Sequence, residues 1–297
     1  METGLIKLSG QWQQVAGAWL AEVGQRTGSM RTPKEYARHL ERFIETVGDV
    51  TRATPPAVMA YAYGKGASGK EPSPSTIMVR LAALSGFFDF ARRMGIVSTN
   101  PANDVKRPHA RQSIPRGLDT SELLKLLEAV PGTPAGLRDR AIVITAVLTG
   151  LRRSELLGLR VRDLTRNGRV YYTVRAKGGV LRHRELPLPA FTAIVGALEA
   201  AGTPLESMVP DARLFDLSSQ GFYANLRRYA TKAGVKGVTP HALRHSAAKL
   251  RRQGGASIED IGTLLGHRNI ATTARYLQRL EGEDDNGWQG TAAALGL

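Results

Sequence analysis

The chain has no cysteine among its 297 residues. That absence excludes a disulfide scaffold, a thiol nucleophile and thiolate-ligated zinc, and it suits a reducing compartment. Long apolar runs are missing too. The longest, near residues 141–148, falls far short of the roughly 20 residues a membrane-spanning helix needs. Residues 1–10 lack the basic-then-apolar pattern of a secretory signal. Acidic side chains are few beside basic ones, 26 Asp and Glu against 41 Lys and Arg, which leaves a net charge of +15. These lacks describe a cytoplasmic protein with no membrane partner. The charge surplus favours a polyanion, because basic groups that neutralise phosphates release condensed counterions. It is shared between the halves, +5 in residues 1–108 and +10 in residues 109–297. A nucleic-acid partner is therefore expected to touch both.

The first hundred residues read as helices. Thr32-Pro33-Lys34-Glu35 has the form of a helix start, with Thr32 as the cap and Glu35 closing a capping box. Tyr36, Leu40, Phe43, Ile44 and Val47 then recur at helical spacing. A second helix is expected from near Ser75 to Gly95, with Ile77, Leu81, Leu84, Phe87 and Phe88 on its apolar face. Such stripes read as the seams of a small helical bundle. Between them, Gly64 to Glu71 nearly matches a phosphate-binding P-loop. Glu71 stands where a metal-binding Ser or Thr belongs and no strand is expected before the loop, so no nucleotide site is inferred.

Residues 108–117, rich in proline and basic groups, read as a linker. Beyond it the pattern is mixed. Asp119-Thr120-Ser121-Glu122 is a capping box that opens a helix, and helical patterns follow at 137–148 and 154–159. Two strand-like runs, 170–175 and 181–187, flank a turn at 176–179. Helices are expected again at 190–201 and 219–233, after Thr239-Pro240, after Ser257, and at 271–280. The fold class is thus a mainly α N-terminal bundle (residues 1–107) and an α+β C-terminal domain (118–280) with a small antiparallel sheet. A tail follows at 281–297.

Four separated pieces of the second half carry groups suited to a phosphodiester. They are Thr149 to Leu159 with Arg152 and Glu155; Lys177 in the turn; His241-Ala242-Leu243-Arg244-His245; and Leu264-Leu265-Gly266-His267, followed nine residues later by Tyr276. Splitting a DNA strand without a metal needs a nucleophile, fixed donors for the charge that grows on phosphorus oxygens, and proton carriers. Arginine suits the second task because its planar fork stays charged and bonds two oxygens at once. Two arginines, two histidines, a lysine and a tyrosine cover all three needs. No carboxylate cluster of the kind that holds magnesium is evident, so no cofactor or metal is expected. Arg152 and Glu155 are three apart, a spacing that lets the carboxylate orient the guanidinium, and His241 and Arg244 share a helix face.

In this order and spacing the four pieces resemble the signature of the tyrosine recombinase (phage integrase, Xer-like) family. The first half is more loosely similar to that family's SAM-like core-DNA-binding domain, including its Asn100-Pro101. The resemblance implies that Arg152 and Arg244 clamp the scissile phosphate and that Lys177 protonates the 5′-hydroxyl leaving group. It implies that His241 assists proton transfer, His267 bonds the phosphate, and Tyr276 forms a 3′-phosphotyrosine. Glu155 would support them, while Arg153 and His245 take no catalytic part. It further implies site-specific recombination by a homo-tetramer on double-stranded DNA, through a Holliday junction, with scope for an accessory or partner recombinase. The length leaves no room for a further arm-binding domain, which favours a simple Xer-like enzyme. A type IB topoisomerase-like nicking-closing enzyme shares the chemistry. A non-catalytic DNA-binding protein would be expected to lack one of these groups, and none is missing. In the tail, Trp288, Leu295 and Leu297 are expected to anchor a contact with a neighbouring protomer.

Overall fold

The computed structural model describes residues 11–28, 30–66, 69–108, 116–175, 179–266 and 273–274. The chain divides into two units, Met1–Gln112 and Ser113–Leu297.

Among the described residues, four helices build the first unit: α1 (Gln11–Thr27), α2 (Arg31–Val47), α3 (Pro55–Tyr63) and α4 (Pro74–Arg93). The expected apolar stripes meet in one core, where Leu40, Phe43, Leu81, Leu84, Phe87 and Phe88 are buried beside Trp19 and Val58. The start of α2 differs from expectation. Met30, not Thr32, is the cap residue, and its carbonyl already accepts from Lys34 N at 3.2 Å. Pro33 is tolerated one turn in because the first N–H groups of a helix have no partner within it. The rejected P-loop follows α3, a helix rather than a strand. Arg80 on α4 caps that helix instead: its Nη1 donates to the carbonyls of Tyr61, Ala62 and Gly64 at 2.9, 3.1 and 2.6 Å. Asn100 is buried and folds the chain back on α4, with Nδ2 donating to Ser85 O at 3.0 Å.

The second unit contains α5 (Thr120–Glu128), α6 (Pro134–Thr149), α7 (Arg153–Leu156), α8 (Leu188–Ala200), α9 (Ser219–Ala233), α10 (Pro240–Gln253) and α11 (Ile258–Leu265). Between α7 and α8 lies an antiparallel sheet in the order β1 (Leu164–Asn167), β2 (Arg169–Arg175), β3 (Leu181–Glu185). Strand β1 was not anticipated. It is short, largely exposed and polar, so it shows no apolar alternation. Leu126, Ile142, Leu156, Tyr172, Ile194, Phe215, Phe222 and Leu243 form the buried core. The expected capping box at Asp119 is formed, Ser257 caps α11 through a capping box with Asp260, and Thr239 caps α10 ahead of Pro240. The helix expected at 271–280 lies mostly outside the described residues. Thr273 is helical and fully buried, and a Cβ at Gly262 would come within 2.9 Å of its hydroxyl. No helix of the described residues is long and apolar enough to cross a membrane.

Candidate active site

Helix α6 ends because Gly150 takes φ +62°, a left-handed conformation that costs other residues energy. The chain then turns sharply, and Arg152 becomes the residue that opens α7. Glu155, one turn on, performs two tasks. One carboxylate oxygen accepts from the Arg152 backbone N–H and the other from Arg152 Nη1, both at 2.8 Å. The carboxylate is nearly buried while the arginine side chain stays about a third exposed. This geometry holds one edge of the guanidinium and leaves the remaining donors for a ligand.

Helix α10 supplies His241 and Arg244. Arg244 is buried, and its two Nη atoms donate to the carbonyls of Gly150 and Leu265. It therefore ties the end of α6, two residues before Arg152, to the last turn of α11. His241 stands at the solvent edge of the same helix. Burial, then the charges of Arg244 and Arg152, hold its pKa below the ordinary histidine value. The imidazole is thus neutral near pH 7 and free to exchange a proton. The ring of His245 packs edge-on against it with centroids 4.6 Å apart. Burial, the like charge of His241 and that of Arg244 push His245 down to about 4.

Of the expected site residues, Arg152, Glu155, His241 and Arg244 are thus brought into one neighbourhood. Lys177, His267 and Tyr276 lie outside the described residues, as do the tail residues Trp288, Leu295 and Leu297. Their flanks are described. Lys177 falls in the sequence between β2 and β3, which pair through Arg175 opposite Leu181, and His267 follows the C-cap Gly266 of α11.

Two residues escaped the sequence reading. Arg182 Nη2 donates to Gly266 O at 2.9 Å, and Arg184 Nη1 donates to Leu264 O at 3.1 Å. With Arg244 on Leu265, three guanidiniums satisfy three successive carbonyls at the negative end of α11. The strand itself hides them. In Leu181-Arg182-His183-Arg184-Glu185 the arginines form the less exposed face while Leu181 is 62% exposed, which inverts the usual strand pattern.

The phage integrase family model matches residues 116–283. Tyrosine recombinase XerC of Herpetosiphon aurantiacus is 33% identical over 217 residues, spanning 70% of each chain. Two solved structures share the fold. A lambda integrase tetramer bound to a Holliday junction matches with TM-score 0.70 and 20% identity, over 95% of this chain and 81% of that one. XerH bound to palindromic difH substrate, in a post-cleavage complex, matches with TM-score 0.67 and 19% identity, over 100% of this chain and 91% of the other.

Proposed function

Since the chain belongs to the phage integrase family and is a tyrosine site-specific recombinase, we propose that Tyr276 attacks the scissile phosphate while Arg152 and Arg244 hold it. The observation that carries this reading is the meeting of Arg152, backed by Glu155, with Arg244, seated on the carbonyls of Gly150 and Leu265. Both guanidiniums are held by protein oxygens, so their orientation is set before DNA arrives. Donors fixed in advance cost little reorganisation when negative charge builds on the phosphate oxygens.

In the proposed reaction the Tyr276 oxygen forms a bond to phosphorus and loses its proton to a neighbouring base, a part that neutral His241 suits. The bond to the 5′-oxygen breaks, and Lys177 donates a proton to it. The resulting 3′-phosphotyrosine keeps the energy of the phosphodiester, and a 5′-hydroxyl from the partner strand reverses the step. His267 bonds a phosphate oxygen. The helical unit and the catalytic unit are assigned to DNA as well, since both are net positive. Assembly as a tetramer through a Holliday junction, as in the lambda integrase complex, is assigned by analogy.

The test begins with footprinting to find the bound DNA site. A duplex of that site, nicked so that the released fragment diffuses away, should trap a covalent protein–DNA adduct with the wild type. Tyr276→Phe should give none, and an adduct with phenylalanine at 276 refutes the assignment. Lys177→Ala should be slow on the ordinary duplex. It should recover on one with sulfur at the 5′-bridging position, because a thiolate leaves without needing a proton.

A further inference from the structure

Arg182 is an expensive residue where it stands. It lies on β3, an edge strand of the sheet, yet points to the less exposed side between exposed Leu181 and His183. Burial depresses its pKa, Arg152 and Arg184 push the same way, and Glu155 opposes them. Those influences place Arg182 within electrostatic reach of the Arg152–Glu155 pair. Its guanidinium ends on the carbonyl of Gly266.

Gly266 is shaped to receive it. The residue has φ +62°, and a Cβ there would lie 1.6 Å from Arg182 Nη1. The guanidinium thus fills the space that any side chain at 266 would occupy. Arg184 offers an internal comparison. It reaches the same helix end, at Leu264 O, but its side chain also hydrogen-bonds buried Tyr172, to which Arg182 is coupled by charge alone.

Resting on the tyrosine-recombinase reading above, we propose that Arg182 is a positioning residue for DNA cleavage. By holding the Gly266 carbonyl it fixes the point at which the chain leaves α11 and runs on to His267 and Tyr276. It acts through those residues and not on the phosphate.

The experiment measures single-turnover adduct formation on the nicked duplex of the footprinted site, with DNA affinity and thermal stability read in parallel. Arg182→Ala should cleave ten- to a hundredfold more slowly, the scale expected when reacting groups are displaced by about 1 Å, with affinity changed less than threefold. Arg182→Lys keeps a donor for Gly266 and should restore at least a third of the rate. Arg184→Ala should lower the unfolding temperature but cut the rate less than threefold. The Arg182→Ala deficit should persist with sulfur at the 5′-bridging position. A wild-type rate in Arg182→Ala overturns the proposal. So does a lysine variant as slow as alanine, an equal deficit in Arg184→Ala, or recovery with sulfur, which would place the effect at Lys177. If the alanine variant does not fold, Arg182→Gln, which keeps the stem and loses the charged bond, is measured instead against the same limits. An adduct in Tyr276→Phe would sink the recombinase assignment of the nucleophile. A null Tyr276→Phe beside a fast Arg182→Ala sinks this inference alone.

Discussion

Glu155 shows how much one side chain can decide. It caps α7 and anchors Arg152 with its two oxygens. Glu155→Gln keeps an acceptor for the backbone but loses the charge that orients the guanidinium. Charge-assisted hydrogen bonds are worth about 1.5–3 kcal/mol, so adduct formation should fall about tenfold with little loss of stability. Glu155→Ala should lose about 1 kcal/mol more in denaturant unfolding, because the cap goes as well. His39 makes a different point. It is buried in the first unit with Nδ1 3.1 Å from the Tyr61 hydroxyl, and burial plus Arg38 and Arg80 lower its pKa from 6.5 to about 4. The unfolded chain therefore takes up a proton first as pH falls. Stability present above pH 6.5 should decline through pH 5, by about 2 kcal/mol there, and level off below pH 4. Urea unfolding followed by tryptophan fluorescence should show this decline, and His39→Gln should flatten it. At this scale the Arg152–Glu155 pair was legible, because three residues along one helical turn is a local distance. The bonds of Arg182 and Arg184 to carbonyls some 80 positions away were not, since nothing local in β3 names its partner.

At the scale of elements, the turn that closes α6 sets the geometry of the site. Gly150 needs its positive φ, its carbonyl receives Arg244, and a Cβ there would meet Leu264 Cγ at 3.1 Å. Gly150→Ala should therefore be destabilised by about 1–2 kcal/mol from the backbone alone. Differential scanning calorimetry should place the loss at about 3–6 °C in the catalytic unit's transition. Adduct formation should fall as well, since the displaced carbonyl is a seat of Arg244. Elements announced by caps were readable in advance, among them α5, α10 and α11, because Asp119, Thr239 and Ser257 bond to backbone within three residues. Strand β1 was hidden, because its pairing to β2 supplies what its polar sequence does not. The start of α2 was misplaced for a related reason. Proline fits anywhere in a first turn, so Pro33 marks a helix start without fixing its register.

For the whole molecule, charge is the property that the sequence stated most plainly and the fold leaves unchanged. The surplus of +15 is divided between two units with separate cores. If both units lie along DNA, each neutralises its own set of phosphates, and the counterions released add together. The logarithm of affinity then falls with the logarithm of salt at a slope near −0.9 for each phosphate neutralised. With about 6–10 such contacts, affinity for the footprinted site should drop about 10³- to 10⁵-fold between 50 and 200 mM salt. Reversing charge in one unit separates the contributions. A full-length variant with Arg92 and Arg93, exposed on α4, changed to Glu alters only the first unit. Fluorescence anisotropy should give it a shallower slope than wild type, while Tyr276→Phe keeps the wild-type slope because the tyrosine carries no charge. An unchanged slope in the α4 variant would mean that this end of the helix does not face phosphate. A slope shallower than −2 for the wild type would mean that the basic surplus serves something other than DNA, whatever the chemistry at Tyr276.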